Sequence, residues 1–288
     1  MRLHYTLGNN KSGQITVPEV SDKLHNQYST YSPIPFDLSI PKISAVIITY
    51  NEEAIITKTL QKLWWCDEII IIDSGSTDKT RKICEDLGCT VIYHLFEGFG
   101  EQKKYGVSKA KNDWILCIDA DEVLTDELIE EIRNEISKDQ LPYCGYTIPR
   151  NLVFMNKVFN HGKESNACIT RLFNKKHGNW DGAVVHEKLI LDGPVKRLKN
   201  KILHYSYNDY NQLLTKINLY STLGAQKMYI KGTGKNKFLV TLAIPFNFLK
   251  YYFLDRNFLN GYRGFAWSVM NTFYHFIKYM KLSELKSH

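Results

Sequence analysis

The sequence predicts an α/β protein built on a doubly wound, mostly parallel sheet, with an antiparallel extension and a helical C-terminal region. Three observations carry this. Between residues 43 and 119 four short apolar runs alternate with helix-compatible segments, the pattern of right-handed βαβ units. Each run ends on polar or acidic residues, as parallel strands do where they reach a common binding rim. After about Ser137 the alternation stops, and strand-like stretches separated by turn residues follow, as in antiparallel pairing.

Residues 1–42 mix Asn, Ser, Tyr and Pro without a usable period, and Ser32-Pro-Ile-Pro35 with Pro41 predicts an irregular lead-in. Met1-Arg-Leu-His4 is too polar and too short for a secretory signal. Residues 43–48 read as a buried strand that ends in Thr49-Tyr50-Asn51-Glu52-Glu53, followed by a helix to about Leu63. Residues 68–72 form the second strand. It runs into Asp73-Ser-Gly-Ser-Thr-Asp78, whose polar side chains suit the start of a helix over 79–87 closed by Gly88. Residues 91–94 are the third strand, and Gly98-Phe-Gly100 turns into a helix over 101–110.

The fourth run, Trp114-Ile-Leu-Cys-Ile-Asp-Ala-Asp-Glu122, stops on two carboxylates. Asp119 and Asp121 sharing so small a volume resist ionising together unless a cation neutralises them. The natural guest is Mg²⁺ or Mn²⁺, usually bridging to phosphate. Strand-end aspartates that merely cap the next helix are the plainer reading. Against it stands the clustering: Thr49 to Glu53, Asp73 to Asp78, Gly98 to Lys104 (with Gln102) and Asp119 to Glu122 all fall at ends of strands or starts of helices on one rim, around one crevice suited to a nucleotide.

A helix over 125–137 carries Leu128, Ile129, Ile132 and Ile136 on one face. Residues 143–149, 167–173 and 183–191 then read as antiparallel strands, and 208–228 as a helix. This divides the chain into a lead-in (1–42), a catalytic domain (43–207) and a helical region (208–288). Within the last, residues 238–254 are almost wholly apolar yet carry Pro245, Asn247 and Lys250, and fall short of the ~20 clean residues of a spanning helix. Residues 265–281 set Ser268, Asn271, Thr272, His275, Lys278 and Tyr279 opposite Phe265, Trp267, Met270, Phe273, Phe276 and Ile277. Beside Lys227, Lys231, Lys235 and Lys237, such a helix suits interfacial attachment to a membrane; packing on the catalytic domain is the alternative.

The totals narrow the classes. At 288 residues, 44% hydrophobic and 23% charged, the chain is globular, and its formal charge of +7 suits anionic partners. Six cysteines without a Cys-x-x-Cys pair read as reduced thiols in a cytoplasmic protein. No basic stripe with interleaved aromatics marks a nucleic-acid binder. Asp119 to Val123 lacks the position-six Gly of a calcium loop. Gly232-Thr-Gly-Lys235 is not a P-loop, since Asn236 stands where Ser or Thr is needed.

Together, Val46-Ile-Ile-Thr-Tyr-Asn-Glu-Glu53, Asp73-Ser-Gly-Ser-Thr-Asp78 and Ile118-Asp-Ala-Asp-Glu122 resemble the family-2 glycosyltransferases of the GT-A, Rossmann-like fold. Glu97-Gly-Phe-Gly-Glu-Gln102, Arg171-Leu-Phe, Val185-His-Glu187, Gly193 and His204-Tyr-Ser-Tyr207 look like the bacterial glucosyltransferases of the lipopolysaccharide inner core. The resemblance implies an inverting transferase moving a sugar, most plausibly glucose, from a UDP-sugar to a lipid-linked saccharide such as core heptose, at the cytoplasmic face of the inner membrane. It implies that Thr49, Tyr50, Glu52, Asp73, Gln102 and Lys104 surround the nucleotide, Tyr50 against the base and Asp73 accepting from the uracil imide, with Lys103 or Lys104 assisting. Asp119 would face ribose or metal, Asp121 would hold the divalent cation, and His186 would be a further metal or phosphate contact. Where relatives tend to carry an Asp shortly before Arg-Leu-Phe, this chain has Ala167; the general base is then Glu164 or Glu187. Two alternatives stay open: a haloacid-dehalogenase-like phosphatase using Asp119 and Asp121, and a sugar-nucleotide binder without catalysis.

Overall fold

Burial on both faces makes β1 (Ile43–Thr49) the centre of the structure, all seven of its residues being buried. Parallel partners flank it: β2 (Glu68–Asp73) on one side and β4 (Trp114–Asp119) on the other, with β3 (Thr90–Tyr93) beyond β2. The chain thus moves outward from β1 to β3 and returns across β1 to β4, which puts the topological switch point between β1 and β4. The computed structural model describes residues 41–138, 141–165, 167–181, 187–207, 209–234 and 236–287. The predicted lead-in, apart from its last two residues, lies outside them, as do His186, Lys235 and the first half of the strand expected over 183–191.

Helices α1 (Ile56–Leu60), α2 (Thr80–Asp86) and α3 (Phe99–Lys109) follow the first three strands. Gly88 closes α2 with a φ of +77°, as expected of a residue just past a helix end. On α3, Gly106 lies so close to the sheet that a Cβ there would stand 2.5 Å from Val46 Cγ1 and 2.9 Å from Ile72 Cγ1.

The fourth strand does not run into a helix. After Ala120 and Asp121 comes β5 (Glu122–Leu124), then Thr125, whose hydroxyl accepts from Leu128 N and caps α4 (Asp126–Ile136). Where antiparallel strands are expected, the extension is mixed and has more strands: β6 (Gly145–Phe154), β7 (Lys157–Val158), β8 (Ala167–Asn174), β9 (Gly178–Trp180), β10 (Leu189–Leu191), β11 (Val195–Arg197) and β12 (Ile202–His204). Strands β7 and β8 are antiparallel to β6, β11 and β12 are parallel to it, and β9 and β10 pair as a separate sheet. The main order is β3-β2-β1-β4-β8-β6-β12-β5, with β8 antiparallel to β4. One register matters most: β12 pairs antiparallel with β5, setting His204 across from Glu122.

Helices α5 (Tyr210–Ile230), α6 (Lys237–Leu249) and α7 (Tyr262–Leu285) form the C-terminal region. It shares a core with the sheet, because Leu152, Phe154 and Phe159 pack with Leu213, Ile217 and Trp267. The division expected at residue 207 is therefore not a break in packing. A second tie is polar. Asn260, buried in the turn Asn257–Asn260, donates from Nδ2 to His161 O at 2.8 Å, accepts from Asn160 N at 3.3 Å, and its carbonyl accepts from Lys157 Nζ at 3.1 Å. Asn257 donates to Tyr251 O, and Gly162, at φ +95°, leaves room for it where a Cβ would stand 2.5 Å from its Oδ1.

The amphipathic helix is turned the opposite way from a soluble one. Ser268 and Thr272 are buried, their hydroxyls donating to Gly264 O and Ser268 O, whereas Phe265, Val269 and Phe273 are exposed; Trp267 alone of the large aromatics in that stretch is buried. Phe238, Leu242 and Phe246 of α6 are also exposed. No helix among the described residues is long and apolar enough to cross a membrane.

The close approach of α3 generates a stability test. Gly106→Val should cost about 1–3 kcal/mol by overpacking against Val46 and Ile72, read as a lower urea midpoint at unchanged slope.

Candidate active site

Five segments meet at the switch point, and hydrogen bonds stitch two of them into one rim. Asn51, at φ +54° in a region Asn tolerates, accepts on Oδ1 from Thr77 N at 2.8 Å, while its own N–H donates to Ser76 Oγ at 2.9 Å. Glu53 accepts from Lys79 N at 2.9 Å. Tyr50 between them is left more than half exposed, a free ring at the mouth of the crevice. Thr49, by contrast, is buried inside β1, so its side chain does not line the rim.

Asp73 is fully enclosed. Its Oδ1 accepts from Gly75 N and Ser76 N, both at 3.0 Å, and Oδ2 from Ser76 Oγ at 2.5 Å. In this geometry it shapes the loop from within and does not present a free acceptor. Gln102 is also fully buried: its amide donates to Ser74 Oγ at 2.7 Å and His94 O at 3.1 Å, and its carbonyl meets His94 Nδ1. It braces the ends of β2 and β3 against α3, which corrects the expectation of direct contact with a nucleotide. Lys104 is on the outer side of α3, half exposed and near Glu101; Lys103, one helical step of about 100° away, points inward at 2% exposure.

Lys103 belongs to a charge network beneath the Asp-Ala-Asp turn. Arg171 Nη2 donates to Asp119 Oδ2 at 2.5 Å and to Glu122 Oε1 at 2.8 Å; Arg150 Nη1 donates to the same Glu122 oxygen at 3.2 Å. Lys103 Nζ stands 2.6 Å from Glu187 Oε1 and 3.1 Å from Asp119 Oδ1. Three cations thus face three carboxylates, Asp119, Glu122 and Glu187. Burial alone would raise the Asp119 carboxyl, but Arg171 and Lys103 outweigh it and hold that carboxyl well below the usual carboxylate range. Burial and Arg171 press Lys103 downward; Asp119 and Glu187 more than compensate and keep it charged. Asp119 is therefore paired with protein cations, Lys103 and Arg171, at the place where the sequence predicts a ribose or metal contact.

Asp121 is different. Its backbone carbonyl accepts from Tyr205 N at 2.9 Å, and its Oδ2 lies 3.2 Å from His204 Nε2. Glu52 stands near enough that burial first, and the negative charge of Asp121 second, push its carboxyl up to about 7. Lys216 and His204 offset this only in part. The residues fit a hard divalent cation: 3.2 Å is close to the roughly 3 Å between adjacent ligands of an octahedral ion with ~2.1 Å bonds. Among the described residues no three His, Cys, Asp or Glu side chains converge as a closed metal site. Phosphate and water would complete the shell, as Mg²⁺ prefers.

His204 is the group that reading single residues missed. It stood in the motif His204-Tyr-Ser-Tyr207, but only the pairing of β12 with β5 brings it to Asp121. Arg171 was likewise visible in Arg171-Leu-Phe without its role as counter-ion. The two proposed bases separate: Glu187 is clamped by Lys103, while Glu164, in the turn Lys163–Ser165, has no ion-pair partner among the described residues, and burial raises its carboxyl. His186 lies outside the described residues. The phosphatase alternative requires Asp119 on the first strand of its sheet, and β4 is the fourth.

Comparison with known proteins identifies the family. The family model described as Glycosyl transferase family 2 matches residues 44–196. An uncharacterized glycosyltransferase of Rickettsia felis is 36% identical over 84% of this chain and 90% of its own length. The lipopolysaccharide core biosynthesis glycosyltransferase LpsC of Rhizobium meliloti is 29% identical over 84% of this chain and 93% of its own. Among solved structures, residues 1–349 of S. aureus TarS align at a TM-score of 0.43 and 15% identity, covering 76% of this chain and 72% of that one.

The network generates a pH-dependent prediction. In Arg171→Met, buried Asp119 and Glu122 lose their main counter-ion, and stability at pH 7 should fall by about 3–5 kcal/mol. In the wild type the depressed Asp119 pKa contributes stability above its unfolded value of 3.8, lost only on acidification below it. In the variant the uncompensated carboxyl is raised, so acid relieves it. Urea midpoints of the two proteins should therefore lie furthest apart at pH 7 and converge towards pH 4.

Proposed function

The chain belongs to glycosyltransferase family 2, and on that premise we propose that it is a cation-dependent, inverting hexosyltransferase that moves a sugar, glucose by preference, from a UDP-sugar to a lipid-linked saccharide. One observation carries the cation and the donor diphosphate: Asp121 faces His204 beside a Glu52 whose carboxyl burial and Asp121 raise against the opposing charges of Lys216 and His204, at the switch point of the sheet. Asp121 and His204 are the residues that would hold Mg²⁺ or Mn²⁺. When bound, such an ion supplies Lewis-acid stabilisation of the charge that develops on the leaving diphosphate.

The chain's own residues supply the rest. Tyr50 offers its exposed ring to the nucleobase, and the stitched loops that include Asn51 and Ser76 fix its place. Asp73 would reach the uracil imide only if its loop turned the carboxylate outward. Glu52 lies where the ribose and diphosphate would meet. Glu164 is the base. A carboxyl raised by burial and without an ion-pair partner among the described residues suits removal of a proton from an alcohol. As that proton moves to Glu164, the acceptor oxygen bonds to the anomeric carbon from the face opposite the diphosphate. The bond from that carbon to the diphosphate oxygen breaks, its electron pair leaves with UDP, and configuration inverts.

The exposed apolar faces of α6 and α7 support a lipid surface as the place of work. Phe238, Leu242 and Phe246 of α6 and Phe265 and Phe273 of α7 are large apolar side chains left exposed, and Lys227 and Lys231 stand exposed at the end of α5. We place the protein at the cytoplasmic face of the inner membrane, where a lipopolysaccharide core heptose is the acceptor that the likeness to LpsC favours.

Asp121→Asn should lower kcat/KM by about 10²–10³-fold and abolish the rise in thermal midpoint that Mn²⁺ with UDP gives the wild type. An unchanged rate would remove the metal role, and UDP-sugar binding with no turnover by wild type would favour the non-catalytic reading. Glu164→Gln should slow transfer by about 10²–10⁴-fold at an unaltered Kd for UDP, with Glu187→Gln acting mainly on stability; the reverse ranking would transfer the base to Glu187. For attachment, Phe238→Glu, Leu242→Glu and Phe246→Glu together should cut flotation with anionic liposomes by at least about a hundredfold without lowering the thermal midpoint. Persistent flotation would count against the lipid surface.

A further inference from the structure

Between α5 and α7 lies a cleft of about 230 Å³ that the chemistry of the Asp121 site does not use, lined in part by Tyr207, Lys216, Tyr220, Trp267, Asn271 and Tyr274. An ordinary packing defect between helices is walled by aliphatic side chains. This one has aliphatic Leu213 and Ile217 at its buried base and aromatic rings, an amide and an ammonium around it. It is smaller than the roughly 300 Å³ at which drug-sized pockets begin, which suits one or two small rings.

The cleft is continuous with the reaction centre through a four-residue segment. His204 faces Asp121, Ser206 Oγ lies 2.9 Å from His204 Nδ1, and Tyr207 is already the wall of the cleft, with its ring centroid 5.8 Å from that of Trp267. Three residues of chain span at most about 11 Å. Lys216 closes the near side: its Nζ donates to Ser206 O at 2.7 Å and stands 5.2 Å from the centre of the Tyr207 ring. This half-buried lysine makes no ion pair among the described residues and acts on the Glu52 carboxyl only at longer range. Such an ammonium is best matched by an anion brought from outside.

Building on the glycosyltransfer reading above, we propose that the α5–α7 cleft is the acceptor subsite, taking a sugar ring against the Tyr207 and Tyr220 rings with an anionic substituent, phosphate or sugar carboxylate, at Lys216. Amphipathic rings with polar tips suit a saccharide, whose axial C–H faces are apolar and whose hydroxyl edge is wet. The outer surfaces of the same helices are the exposed apolar ones, so a lipid-linked acceptor would present its sugar end here with its lipid end still among those side chains.

The test uses the full chain, a UDP-sugar donor with Mn²⁺, and deacylated lipopolysaccharide as acceptor probe, before and after alkaline phosphatase. Tyr220 is about half exposed, so its replacement leaves the core intact. Tyr220→Ala should raise the acceptor KM by about tenfold or more, Tyr220→Phe should restore it, and the Kd for UDP should move less than about twofold. Lys216→Gln should raise KM by about tenfold for the untreated probe. If phosphatase treatment removes that difference the anion is phosphate; if the difference survives, it is a sugar carboxylate. An acceptor KM unmoved by Tyr220→Ala, or a Lys216→Gln effect that falls on UDP affinity instead, overturns the subsite while leaving the donor site standing. Wild-type protein that neither binds UDP nor transfers sugar would bring down the reading on which the subsite rests, and the subsite with it.

Discussion

The site depends on one buried guanidinium. Arg171 is 4% exposed and reaches two carboxylates at once, Asp119 at the end of β4 and Glu122 at the start of β5. Buried charges persist only when paired and hydrogen-bonded. Lys103 and Arg150 complete the balance against Glu187 and Glu122. The pairing pins the two residues between those carboxylates, Ala120 and Asp121, in one shape. Ala120 is fastened from the other side as well, since Thr59 Oγ1 donates to its carbonyl at 2.6 Å. The two carboxylates of Asp-Ala-Asp differ accordingly: the first is paired with Arg171 and Lys103, and the second faces His204.

The parallel half of the fold was legible because its signals are local. Strands such as 68–72 are continuous apolar runs, and Gly88 and the 73–78 segment punctuate them by known backbone chemistry. The antiparallel half was less so: β9, β11 and β12 are three residues each, too short to show a period, and they exist because a neighbour pairs with them. Site residues followed the same rule. Asp121 and Tyr50 could be found from strand ends alone. His204 could not, since its partner is 83 positions earlier and only the β5–β12 register joins them. Lys103 and Lys104 are indistinguishable in sequence until the inner face of α3 is known. Gln102 and Asp73, expected to face a nucleotide, have their polar atoms turned inward to backbone and side-chain partners that sequence does not reveal.

The C-terminal helices reverse the usual segregation of side chains for a physical reason. Ser268 and Thr272 can be buried cheaply, because each hydroxyl donates to a carbonyl one turn back on its own helix and leaves no donor unmet. Gly264 allows α7 to approach the Asn257 carbonyl so closely that a Cβ would stand 1.8 Å from it. Small residues inside free the large aromatics to face outward. A helix read only by its polar and apolar stripes gives the stripes correctly and leaves open which one meets the protein.

The paired asparagines of the 257–260 turn have a mechanical meaning. They hold His161, Asn160 and Lys157, the stem of the turn that carries Glu164, against the helices with the apolar outer surface. On the function proposed above, anchorage and proton abstraction would be mounted on one bracket, and a bilayer fixing the height of those helices would also fix how far above it Glu164 rides, a built-in depth gauge for a substrate rooted in lipid.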